Sequence, residues 1–162
     1  MKIIAFVGHS NSGKTQLITR LVPELKKRGL NVAVIKRCTH GFDLGGEDKD
    51  SSKFLAAGAD GVALAAPGQT AILHRTDCPD DIATLAQKEF STADMVLVEG
   101  GKNEAGLRKI EVIRAGLSAG IETPFQDLDA VVADHPEVGS IRTFQHDEIT
   151  GLADWLAGGV QR

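Results

Sequence analysis

No apolar run in this 162-residue chain approaches the roughly 18 residues that a membrane-spanning helix needs. The opening MKIIAFVG has one lysine and a short apolar run that passes straight into a glycine loop, with neither the length nor the cleavage site of a signal peptide. Cysteine is scarce: Cys38 and Cys78 lack metal-type spacing, and reduced thiols in a cytoplasmic protein are a simpler reading than a disulfide. The histidines His9, His40, His74, His135 and His146 are scattered and make no metal set. A formal charge of −4 gives no general affinity for nucleic acid or an anionic membrane, although Lys36-Arg37 suits a phosphorylated ligand. Repeats, low-complexity tracts and linkers are missing too. With 42% apolar and 25% charged residues, the expectation is one soluble, cytoplasmic domain spanning 1–162.

What is present is an alternation of strands and helices. KIIAFV (2–7) is a continuous β-branched and aromatic run, the pattern of a strand covered on both faces. TQLITRLVPELKKRG then sets Leu17, Ile18, Leu21, Val22 and Leu25 at helical spacing, with Gly29 as the stop. Pro23 inside this pattern predicts a kink or an early end near Val22. NVAVIK (31–36) reads as the next buried strand, and strand–helix–strand implies a parallel βαβ unit.

The polar stretch 37–50 fits neither period and leads into a short helix in SSKFLAAGA. DGVALAA and TAILHR flank the Pro-Gly turn of PGQ and predict a β-hairpin. DDIATLAQKEF (80–90) reads as helix and DMVLVEGG (94–101) as a buried strand. KIEVIR (109–114) alternates as a half-exposed strand should, and DAVVAD (129–134) reads as the last core strand. DEITGLADWLAGG (147–159) closes the chain as an amphipathic helix, with Ile149, Leu152, Ala153 and Leu156 on one face.

Between the first strand and the first helix lies GHSNSGKT: Gly8, His9, Ser10, Asn11, Ser12, Gly13, Lys14 and Thr15. It meets G-x-x-x-x-G-K-[ST] without a mismatch and in the strand-to-helix context that the motif requires. Glycines let successive N–H groups turn toward one anion, and the helix N-terminus adds its partial positive charge. Lys14 is placed to reach the β- and γ-phosphates, and the Thr15 hydroxyl to ligate Mg²⁺. The bland alternative, a glycine-rich turn with a surface lysine, explains the full motif poorly. The expected fold is therefore a three-layer α/β, phosphate-loop NTPase-like sheet, mainly parallel, with an antiparallel hairpin segment.

Such a site needs a carboxylate at the end of another core strand to orient Mg²⁺. Glu99, at the tip of MVLVEG, is the candidate, though a solvated strand-end carboxylate is the alternative. In the polar stretch, Asp43 or Asp50 offers a further ion ligand and Lys36 faces the phosphates; alternatively Asp50-Ser51 caps the next helix. Asp43, Glu47 and Asp48 read singly as hydrated loop residues, and His40 alone as a structural or solvated histidine.

Taken in order, GHSNSGKT, VIKRCTHGFD…KDSSKFLAAGAD, DMVLVEGGK and RKIEVIR resemble the MobB family of molybdopterin-guanine dinucleotide biosynthesis adapter proteins. The resemblance implies GTP and Mg²⁺ as ligands, a homodimer, and slow GTPase activity at most. It also implies a partner nucleotidyltransferase that attaches GMP to molybdopterin, with direct molybdopterin binding left open. Carried over by position, Gly8 to Thr15 form the phosphate site and Glu99 holds Mg²⁺. Lys36, His40, Asp43, Lys49, Asp50 and Ser51 match the polar loop, and Lys102 matches the lysine after VEG. The chain departs from the family pattern at Asp48, usually glycine, in the shortened RCTH run, and at Gly101, often aromatic. Asp134, ending VVAD, is placed to read guanine through N1–H and N2–H₂; equally, it is a turn residue before His135-Pro136.

Other classes are weaker. A phosphate-loop small-molecule kinase needs an arginine-bearing lid; Arg108 and Arg114 are the candidates, but they flank a strand rather than a lid helix. A nickel-delivering GTPase needs a histidine-rich tail or a CxxC site, and neither is present. A plain nucleotide-binding module leaves the KDS and KIEV-x-R segments unexplained.

Overall fold

The computed structural model describes residues 1–38, 41–42, 49–76, 81–117, 120–134 and 141–158. In chain order the elements are β1 (Lys2–Val7), α1 (Lys14–Lys27), β2 (Val32–Lys36), α2 (Asp50–Ala56), β3 (Gly61–Ala66) and β4 (Gln69–His74). They continue with α3 (Ile82–Glu89), β5 (Met95–Glu99), β6 (Arg108–Val112), β7 (Leu128–Val132), β8 (Thr143–Phe144) and α4 (Ile149–Ala157). The chain divides into two compact units, one formed by 1–37 with 81–162 and the other by 38–80. Among the described residues, no helix is long and apolar enough to cross a membrane.

The larger unit is built on a six-stranded sheet in the order β2-β5-β1-β6-β7-β8, with every neighbouring pair parallel. Alternation along β1 divides the core. Ile4 and Phe6 face Leu17, Ile18, Leu21 and Leu25 of α1 together with Ile149, Leu152, Ala153 and Leu156 of α4. Ala5 and Val7 face Ile82 and Ala86 of α3 on the other side. Helices on both faces make three layers and explain why β1 and β5 are apolar except for Lys2 and Glu99 at their ends. The Asp81 side chain caps α3 by accepting from the Thr84 N–H at 2.9 Å.

In this unit four sequence expectations change. β6 is not half-exposed: Lys109 and Glu111 are only 3% and 2% exposed, because their polar ends find partners. Lys109 Nζ lies 3.5 Å from the Asp127 carboxylate. Glu111 accepts from the Glu122 and Thr123 backbone N–H groups at 3.0 and 2.9 Å. β2, expected to be buried, is the sheet edge, with Val34 exposed. β7 is not the last core strand, since the two-residue β8 extends the sheet beyond it. α1 runs through Pro23 to Lys27; Pro23 faces solvent, where water can satisfy the carbonyl its missing N–H leaves free.

The smaller unit contains α2 and the hairpin β3–β4, paired from Gly61↔His74 to Ala66↔Gln69 around Pro67-Gly68. The hairpin is a sheet of its own and does not extend the six-stranded one. Nearly all of it is solvent-accessible, including Leu64 and Ile72. Asp50 and Ser51 do not cap α2: Lys49 is the N-cap residue, without a side-chain cap bond, and Asp50 opens the first turn, 3.9 Å from Lys53 Nζ.

Candidate nucleotide-binding site

Parallel strands end on one edge, so the loop after β1 lies beside the ends of β5 and β6, its neighbours in the sheet. Gly8 leaves β1 with φ 133°, and a Cβ there would collide with the Val112 carbonyl oxygen of β6. Only glycine fits this close passage of two backbones. Asn11 (φ 63°) and Gly13 (φ 96°) complete the turn, with the Ser12 side chain buried beneath it. Gly13 is the N-cap of α1 and brings no side-chain acceptor, so the first N–H groups of the helix remain available to an anion.

Lys14 folds back into the loop, donating to the Gly8 and His9 carbonyl oxygens at 2.9 and 2.5 Å. Burial pushes its pKa below the usual lysine value, with Glu99 opposing and Lys36 adding to the effect. The Thr15 hydroxyl donates to Glu99 Oε1 at 2.9 Å. Lys36 Nζ, at the end of β2, is 3.4 Å from the same oxygen. Lys14, Thr15, Lys36 and Glu99 thus converge from three adjacent strand ends. Among the described residues no group of three or more His, Cys, Asp or Glu forms a metal cage. One hydroxyl and one carboxylate fit Mg²⁺, which keeps waters and takes its remaining ligands from substrate phosphates.

On the other side of the loop are the ends of β6, β7 and β8. Asp134 accepts from the Ala115 N–H at 2.9 Å and lies 3.7 Å from His146 Nε2. His146 Nε2 donates to the Ile113 carbonyl oxygen at 2.9 Å, while its own carbonyl accepts from Arg20 Nη1. The Arg114 guanidinium and the His146 ring both approach Gly13.

The profile of the MobB family, described as molybdopterin guanine dinucleotide synthesis protein B, matches residues 3–134. The chain belongs to the MobB family. A Haemophilus influenzae molybdopterin-guanine dinucleotide biosynthesis adapter protein is 35% identical over 95% of this chain and 86% of its own length. Its Escherichia coli counterpart of the same description is 32% identical over 99% and 94%. A crystal structure of molybdopterin-guanine biosynthesis protein B superimposes with a TM-score of 0.76 at 32% identity, over 99% of both chains. The Bacillus subtilis MobB structure, 23% identical over 99% of both chains with a TM-score of 0.73, shares the fold.

In this MobB chain KIEV-x-R makes two tethers and one approach to the loop. Lys109 holds Asp127, Glu111 holds the backbone of 122–123, and Arg114 lies against Gly13. Glu122, so placed, bonds His9 of the loop and accepts from Lys102 Nζ at 2.5 Å. The Lys102 ammonium and then His9 hold the Glu122 carboxyl below its ordinary range. His9 and Lys102 are therefore joined through a residue that no sequence motif marks. Glu122 and His146 are lone residues in sequence that only the fold brings to the loop, whereas Arg114 closes the KIEV-x-R motif. Lys49, Asp50 and Ser51 belong to the smaller unit, and His40 and Asp43 lie outside the described residues.

Proposed function

We propose that the chain is a cytoplasmic, GTP- and Mg²⁺-binding adapter in molybdenum cofactor assembly. It assists a molybdopterin nucleotidyltransferase that attaches GMP to molybdopterin, and it turns over GTP slowly at most. The observation that carries the nucleotide reading is the Thr15–Glu99 hydrogen bond beside Lys14, at the N-terminus of α1. Thr15 and Glu99 would hold Mg²⁺, which when bound neutralises phosphate charge. Lys14 exchanges its carbonyl partners for phosphate oxygens, and the loop backbone supplies the remaining donors. Asp134 is our candidate for reading guanine, with His146 bracing that corner.

Calorimetry tests the base: GTP–Mg²⁺ is expected to bind more tightly than ATP–Mg²⁺, and equal or tighter ATP binding would sink the guanine reading. The adapter role follows from the names of the relatives. We further propose a homodimer, because an isolated two-stranded hairpin is marginal in water and β3–β4 exposes apolar side chains along its length. A tagged copy incubated with untagged chain and cell extract is expected to retain both the untagged copy and a molybdopterin nucleotidyltransferase identified by mass. Loss of the first rejects the dimer, and loss of the second rejects the adapter role.

A further inference from the structure

We propose that Arg114 contacts the phosphate chain of the bound nucleotide, an inference that rests on the nucleotide reading above. β6 ends at Val112 beside the start of the phosphate loop, which carries Arg114 to the N-terminus of α1. Its Nη2 and Cζ lie 3.5 and 3.8 Å from where a Gly13 Cβ would stand, so the guanidinium packs against the bare face of that glycine. Its Nε is buried and has no hydrogen-bond partner among the described residues.

Both features are unfavourable in the ligand-free chain. A buried donor without an acceptor loses its water and gains nothing in return. A cation beside a helix N-terminus is repelled by the partial positive charge of the first-turn N–H groups. The nearby carboxylate Asp134 gives one oxygen to the Ala115 N–H and turns the other toward His146 Nε2, 3.7 Å away. An anion on the loop offsets the repulsion, since the guanidinium Nη groups beside Gly13 fork onto phosphate oxygens. Arg114 and Lys14 then neutralise the phosphate chain from two directions, which a surface arginine would not do.

This assignment gives stability and affinity opposite signs. Arg114→Met keeps the bulk and removes the charge and donors. It is expected to raise the melting temperature of the ligand-free chain by about 2–4 °C. GTP–Mg²⁺ and inorganic tripolyphosphate are expected to bind about tenfold to hundredfold more weakly, by similar factors. Parental affinity for both, or a lowered melting temperature, makes Arg114 structural and overturns the proposal. A loss confined to GTP makes it a base contact and also overturns it. If Arg114→Met does not fold, Arg114→Gln is read by the same criteria; failure of both to fold assigns Arg114 to the scaffold. A parent chain that binds no nucleotide refutes the site itself, whereas a parent that binds and a variant that binds equally well refute only Arg114.

Discussion

Lys14→Ala leaves no measurable binding of GTP–Mg²⁺ at concentrations that saturate the parent chain, and it melts within about 2 °C of the parent. The two halves of this expectation have separate causes. Lys14 brings the ammonium that this kind of loop presents to the β- and γ-phosphates, so its loss removes a contact that water cannot replace. The fold depends on it little. Its partners are two loop carbonyls and, at 3.5 Å, the Ser12 hydroxyl; the His9 contact is exposed, so water can satisfy it when the side chain is cut back. Burial already disfavours its charge, so folding does not gain from keeping the ammonium where it lies. Calorimetry and thermal melting on one preparation decide the matter. A folded Lys14→Ala chain with parental affinity would falsify the assignment of the loop.

Gly8→Ala damages the fold as well as the site. The residue sits at φ 133°, where a Cβ is strained whatever the space around it. Here there is no space either, since the methyl group meets the Val112 carbonyl oxygen, a backbone atom of a central strand. Strain and overpacking together are expected to cost about 3 kcal/mol, a melting temperature lower by about 6–12 °C. GTP affinity falls with it, because the loop yields more readily than β6. Gly106→Ala is the internal control: φ is 74° with nothing within 4 Å of the added Cβ, so only the strain remains. Equal losses in the two variants would show that the close passage of β1 and β6 plays no part.

Much of this was legible in the sequence because it is local. The loop is one contiguous motif between one strand and one helix, and α4 shows Ile149, Leu152, Ala153 and Leu156 at helical spacing, all four buried in the fold. β6 resisted the same treatment. Its alternation of Lys109, Ile110, Glu111 and Val112 looks like a solvated face, and only Asp127 and the 122–123 backbone reveal that both charges are satisfied inside. β8, two residues long, is too short to show a period, yet it fixes the chain ahead of His146. His146 illustrates a further limit: it is a single polar residue, given meaning by Gly13, which lies on another element.

The order of strands in the sheet also bears on how the chain is made. β1 is synthesised first, but its partners come late: residue 2 pairs with residue 95, and residue 4 with residue 108. During synthesis KIIAFV therefore leaves the ribosome as an apolar strand with both edges open, and stays so until some hundred further residues have emerged. α1 can cover one face early, being next in sequence, but the hydrogen-bonding edges must wait for long-range closure. The glycine loop after β1 is thus written early and shaped last, since Gly8 acquires its constraint only when Val112 arrives beside it.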